Sequence, residues 1–179
     1  KSVVLDFCGG QQDLAAGVVR SVGDPVRRFS EDALRMLRAY RFASVLNFTI
    51  EDVTKETAAR MFGEIAKVSA ERVTAEFIRL LEGHSAGKIL RLCPEIFRVL
   101  LGFTNVTPAL CSDCGQVADS LPPLFHQRLA ALVLTAGEGL SASLLRTDRR
   151  TGRFIDEMIA FSSAVPSASG YNCKRLLQK

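Results

Sequence analysis

Asp32 and Arg35 stand one helical turn apart in the stretch RRFSEDALRMLRAYRFA, and Arg38 follows after a further turn. An ionised aspartate only accepts hydrogen bonds and an arginine only donates them. Side by side they match a flat polar edge that offers a donor next to an acceptor. Cytosine presents its N4 amine beside N3, and adenine its N6 amine beside N1, so both fit. Uracil and guanine carry a carbonyl where the carboxylate needs a donor, and the mismatch leaves polar groups unpaired at a cost of roughly 1–3 kcal/mol. The same side chains also suit a solvated helix face held by ion pairs worth roughly 0.2–0.5 kcal/mol each. Spacing alone allows either.

Positioning the pair requires a helix, and the spacing predicts one over Glu31 to Ala43. At about 100° per residue, Ala33, Leu34, Met36, Leu37, Tyr40 and Ala43 share one side, while Glu31, Asp32, Arg35 and Arg38 crowd the other. Ser30 stands at the expected N-cap, with two acids behind it at the positive end of the helix dipole. Upstream, KSVVLDF reads as an extended apolar run, Gly9 to Gln12 as a loop, and Asp24-Pro25 as a stop to regular structure. Downstream, Val53, Thr57, Met61 and Ile65 are spaced for a core face. A helix capped by Ser69 follows, with Val73, Phe77, Leu80 and Leu81 inward and Gly83 as its stop. Arg41 points to the apolar side of the first helix and needs a carboxylate if buried; Glu76, one turn after Arg72, is the expected partner. From His84 onward, apolar segments punctuated by Gly, Pro and Ser read as successive helices.

The 179 residues are 47% hydrophobic and 23% charged, which is enough apolar material for a buried core and one or two domains. A net charge of +4 suits a polyanionic partner or simply a solvated surface. No apolar run approaches the roughly 18–20 residues that span a bilayer, so no membrane partner is expected. Five cysteines without framework spacing point to reduced thiols and a cytoplasmic location. Cys111 and Cys114 form a lone CxxC with both histidines remote, so no metal is expected there. Arg146, Arg149, Arg150 and Arg153 in LLRTDRRTGRF form the best candidate for a phosphate-contacting patch, or equally a turn paired with Asp148.

Four motifs in order, Gly9 to Leu14 (GGQQDL), Arg20 to Pro25 (RSVGDP), Glu31 to Ala43 (EDALRMLRAYRFA) and Glu71 to Glu76 (ERVTAE), resemble the class II tRNA nucleotidyltransferases. These are the CCA-adding enzymes and their relatives the bacterial poly(A) polymerases. The resemblance implies an all-α, irregular helical bundle with a short extended N-terminal segment. Residues 1–25 would connect head and neck, 26–83 would form a neck carrying the nucleotide template, and 84–179 a helical body. Asp32 and Arg35 would pair with the incoming CTP or ATP, with Arg38 beside them. Asp6, Gly9, Gly10 and Asp13 would belong to a flexible link, and Glu31, Arg41, Arg72 and Glu76 would support the template helix from behind.

The parent reaction would transfer CMP and AMP to a tRNA 3′ end. The family's catalytic head, whose paired carboxylates hold Mg2+, lies upstream of the first motif, and no G-S followed by D-x-D occurs in this sequence. The chain is therefore expected to lack the head and the tail, to be inactive alone and to bind no metal. Relatives often carry a metal-binding His-Asp pair where this chain has Leu134 and Thr135, so that chemistry is not expected either, and His84 and His126 are read as loop or helix-end residues. A bacterial poly(A) polymerase fragment and a non-catalytic helical RNA-binding or interaction module are the alternatives.

Overall fold

Asp24 and Pro25 begin a helix instead of ending one. In the computed structural model, which describes residues 5–137 together with 145, 149, 153, 154, 157 and 160, the Asp24 carboxylate accepts from the backbone N–H groups of Val26 and Arg27 at 3.1 and 3.3 Å. Proline at the first helical position gives up a hydrogen bond that would have been unmade anyway. The restriction on the residue before proline is met because Asp24, as the cap, is itself extended. Two helices thus replace the single one expected: α2, Pro25–Glu31, and α3, Leu34–Leu46. Ser30 lies inside α2 with its hydroxyl donating to the Val26 carbonyl at 2.8 Å. The joint is Asp32, in extended conformation, whose Oδ1 takes the Leu34 N–H at 3.1 Å and so starts α3.

Ahead of α2, Gly9 in the left-handed region (φ 73°) leads directly into helix α1, Gly10–Ala16, which takes in Gly10 to Gln12 of the expected loop. Three N–H groups at the start of that turn, from Gln11, Gly10 and Cys8, converge on the Asp6 carboxylate and hold its pKa below the usual range. Strand β1, Val18–Val19, then pairs in parallel with β2, Thr49–Ile50, and ties this segment to the connection after α3.

Helix α4, Asp52–Met61, is rotated from the face the sequence suggests. Thr54, Thr57 and Ala58 are buried, whereas Val53 is 58% exposed. A threonine can occupy the inner face because its hydroxyl is satisfied: Thr54 Oγ1 accepts from Ser21 N at 3.1 Å and donates to Glu51 at 2.5 Å. A 3-10 turn, Phe62–Lys67, leads to α5, Ala70–Leu81, which buries Val73, Phe77, Leu80 and Leu81 as its spacing predicts. Ser69 sits at the N-cap of α5, but its side chain makes no capping bond.

Helix α6, Ala86–Leu92, is followed by a π-turn at Ile96–Leu100 and by helices α7, Pro108–Asp119, and α8, Phe125–Ala136. The fold is all-α apart from the two-residue strand pair. One apolar cluster runs from Phe29 on α2 through Tyr40, Phe77 and Phe97 to Leu129 on α8 and Leu145. No helix among the described residues is long and apolar enough to cross a membrane. Cys93, Cys111 and Cys114 are buried thiols and Cys8 an exposed one.

Gly83 is required by contact with a neighbour: a Cβ there would lie 2.1 Å from Ser44 Oγ and 2.8 Å from the Ser44 carbonyl carbon. The Ser44 hydroxyl is held in place by the Leu80 carbonyl at 2.7 Å and has little room to yield. Gly83→Ala is expected to cost about 1–3 kcal/mol, read as a lower urea midpoint with an unchanged denaturant slope.

Candidate functional site

Helix α3 presents Arg35, Arg38 and Phe42 to a cleft of about 400 Å³, closed on the other side by Val19 to Val22, Arg28 and Thr54. Its charges are unevenly matched. Glu31, the last residue of α2, collects three arginines: Arg28 at 2.7 Å and Arg35 at 3.1 Å on one oxygen, and Arg27 at 3.3 Å on the other. Arg20 reaches across the mouth of α1 to both Asp13, at 3.0 Å, and Glu51, at 2.7 Å. Arg38 is exposed and forms no ion pair or hydrogen bond with any described residue. Among the described residues the cleft therefore offers one unmatched cation, Arg38, and two, Arg28 and Arg35, that share the single carboxylate of Glu31, while Arg20 is matched by Asp13 and Glu51.

Asp32 and Arg35 remain one turn apart, the Arg35 N–H donating to the Asp32 carbonyl at 3.1 Å, but their side chains have different partners and line different clefts. Asp32 lines a second cleft, of about 360 Å³, together with Lys67, Ser69 and Arg72. Its Oδ2 pairs with Arg72 at 3.1 Å while Oδ1 caps α3. Phe29 lines both clefts.

Behind α3, Arg41 Nε lies 2.6 Å from Glu76 Oε2, with both side chains mostly buried and the guanidinium 3.8 Å above the Phe42 ring. Neither of the two close atoms is in a directed hydrogen bond, so the contact is chiefly electrostatic. Arg72, expected among the same supports, turns to Asp32 instead. A third cleft, of about 620 Å³, brings Gly10 and Asp13 of the link segment beside Phe7, Leu14 and Phe48. It shares Val19 to Val22 and Phe42 with the arginine cleft. Arg149 and Arg153 are exposed helical residues, while Arg146 and Arg150 lie outside the described residues.

Sequence reasoning passed over Arg20, Arg28 and Glu51. The Arg28–Glu31 spacing of three was a visible signal once α2 is a helix; the reach of Arg20 to Glu51, 31 residues on, had none. Among the described residues no three or more His, Cys, Asp or Glu side chains gather to hold a metal ion.

Residues 47–93 match a family described as the probable RNA and SrmB-binding site of polymerase A. The CCA-adding enzyme of Bacillus subtilis (strain 168) is 44% identical over 160 residues, covering 87% of this chain and 40% of that protein. The CCA-adding enzyme of Geobacillus sp. (strain WCH70) is 33% identical over 183 residues, 98% of this chain and 44% of that protein. Among solved structures, the Bacillus stearothermophilus CCA-adding enzyme in complex with CTP superposes with a TM-score of 0.60 at 27% identity, over 89% of this chain and 40% of that one. The chain thus spans about two fifths of the length of these relatives.

Proposed function

We infer that the chain is a segment of a class II tRNA nucleotidyltransferase, and we propose that it supplies the protein side chains that select CTP and ATP for addition to the 3′ end of tRNA. The observation that carries this is the cleft into which α3 projects Arg35 and Arg38, on a chain similar over most of its length to CCA-adding enzymes. In this reading residues 1–25 connect a catalytic head to a neck of 26–83, 84–179 form the body, and the parent acts in the cytoplasm.

Asp32 accepts the exocyclic amine of cytosine or adenine and Arg35 donates to the adjacent ring nitrogen. Both must first leave their present partners, Arg72 and Glu31. These pairs are partly exposed, and such pairs contribute about 0–1 kcal/mol, so a base edge competes for them at little cost. Arg38, without a partner among the described residues, meets negative charge on the nucleotide. Arg41 and Glu76 hold α3 from behind, and Asp6, Gly9, Gly10 and Asp13 form the link that connects this face to the head. Arg149 and Arg153 are candidates for contact with the RNA backbone.

Nucleotidyl transfer in this family uses Mg2+. The described residues do not fit it, since no cluster of ligating side chains exists among them, and the chain's contribution is binding and selection. Alone it is expected to transfer nothing.

The test joins the chain to its upstream coding segment and supplies tRNA lacking its last three nucleotides with each nucleoside triphosphate, singly and mixed. Addition of two C residues from CTP and then one A supports the proposal. A long A tail indicates the poly(A)-adding relative, a reading favoured by the match of residues 47–93 to a polymerase A family. No addition at all overturns both in favour of a binding module.

A further inference from the structure

We propose that Tyr40 and Glu95 are positioning residues that set the rotation of α3 and thereby the aim of Arg35 and Arg38; this rests on the nucleotide-selecting role proposed above. Tyr40 is fully buried on α3, and its hydroxyl donates to Glu95 Oε1. Glu95 belongs to a different part of the fold, just ahead of the π-turn that follows α6. Burial pushes the Tyr40 pKa far up, with help from Cys93 and Glu95, so the hydroxyl remains a proton donor.

At about 100° per residue, Tyr40 stands roughly 200° around the helix from Arg38 and roughly 140° from Arg35. It is therefore on the back of the helix relative to the cleft. Its neighbours there, Met36, Leu37 and Ala43, are apolar and buried. Apolar packing holds this face inward but singles out no one partner. Arg41 and Glu76 attract each other but have no directed hydrogen bond between the close atoms. The Tyr40 hydroxyl supplies direction, anchoring the helix to a carboxylate from another element. A rotation of about 15° moves a side-chain tip about 6 Å from the axis by more than about 1 Å. Misplacement of about 1 Å costs up to about 100-fold where a reacting or recognition geometry is tight.

A purely space-filling ring would be served by phenylalanine. The Tyr40 ring already packs on Phe62 with centroids 5.7 Å apart, and Tyr40→Phe leaves that contact in place. The experiment uses the polypeptide carrying its upstream segment. Tyr40→Phe and Glu95→Ala are each expected to lower the CTP-over-UTP ratio of kcat/KM about tenfold, with the double variant no worse than either. Glu95→Gln, which keeps an acceptor, should restore most of the ratio. Amide exchange along α3 should quicken in Tyr40→Phe and Glu95→Ala. A lower melting temperature with an unchanged ratio would make the pair packing alone and overturn the proposal, as would unchanged exchange along α3. Equal use of CTP and UTP by the unsubstituted protein would sink the nucleotide-selecting role, and exchange along α3 would still decide whether the pair sets the helix.

Discussion

Arg128→Met is expected to destabilise the chain by about 3–5 kcal/mol. Arg128 on α8 is 3% exposed. Its Nη1 donates to the carbonyls of Leu81 and Gly83, each at 2.6 Å, and its Nη2 to that of Leu121 at 3.1 Å. The Leu81 carbonyl ends α5, where a helix has no partner of its own to offer it, and the Gly83 carbonyl, just beyond, otherwise accepts only from the Ala86 N–H at 3.3 Å. One guanidinium therefore closes a helix terminus and joins α8 to α5. Desolvation by burial lowers its pKa, opposed by Asp119. Methionine matches the aliphatic length and leaves the Leu81 and Leu121 carbonyls unpaired, at about 1–3 kcal/mol each before relaxation, and the Gly83 carbonyl with only the Ala86 N–H. In a chain of this size the melting temperature should fall by roughly 10 °C. A shift under about 2 °C would mean that water reaches those carbonyls.

Asp32→Asn should lower the preference for CTP over UTP by about 10-fold to 100-fold in the active parent, with little effect on stability. The stability half follows from the cap. The remaining side-chain oxygen can still accept the Leu34 N–H, as Oδ1 does at 3.1 Å, so α3 keeps its start. What changes is the other atom, now an amide donor where the carboxylate accepted from Arg72. A donor there suits the uracil O4 and no longer favours the cytosine amine. Asp32→Ala would confuse the two effects, because it also removes the cap, worth about 1 kcal/mol. Steady-state incorporation with each nucleotide measures the ratio. Equal loss with all four nucleotides would remove Asp32 from base reading and return it to capping alone.

The two predictions differ in how visible their residues were. Asp32 announced itself by its place beside Arg35, even though the helix expected to carry both proved to be two helices. Arg128 did not, because its partners are backbone carbonyls 45 and 47 residues away, and a carbonyl has no sequence signature. Arg41 lies between these cases. Its place on an apolar face required a counter-charge, and Glu76, one turn after Arg72 on a later amphipathic helix, was the expected partner.

By itself the sequence determined the all-α class, the inward stripes of α3 and α5, and the similarity to the nucleotidyltransferases. These depend on periodicity and on short motifs, which act over one or two helical turns. The Asp24 cap and Pro25 that start α2 are also local, though in the sequence they read as a stop. Only the tertiary structure decided that α4 turns Thr54 inward and Val53 outward, and that Asp32 and Arg35 line different clefts. It likewise chose Arg72 for Asp32 and Glu95 for Tyr40. The physical reason is common to all of these. Local spacing tells which side of a helix meets the core, but where one helix ends, how far it rotates and which charge it meets are settled by the neighbours packed against it.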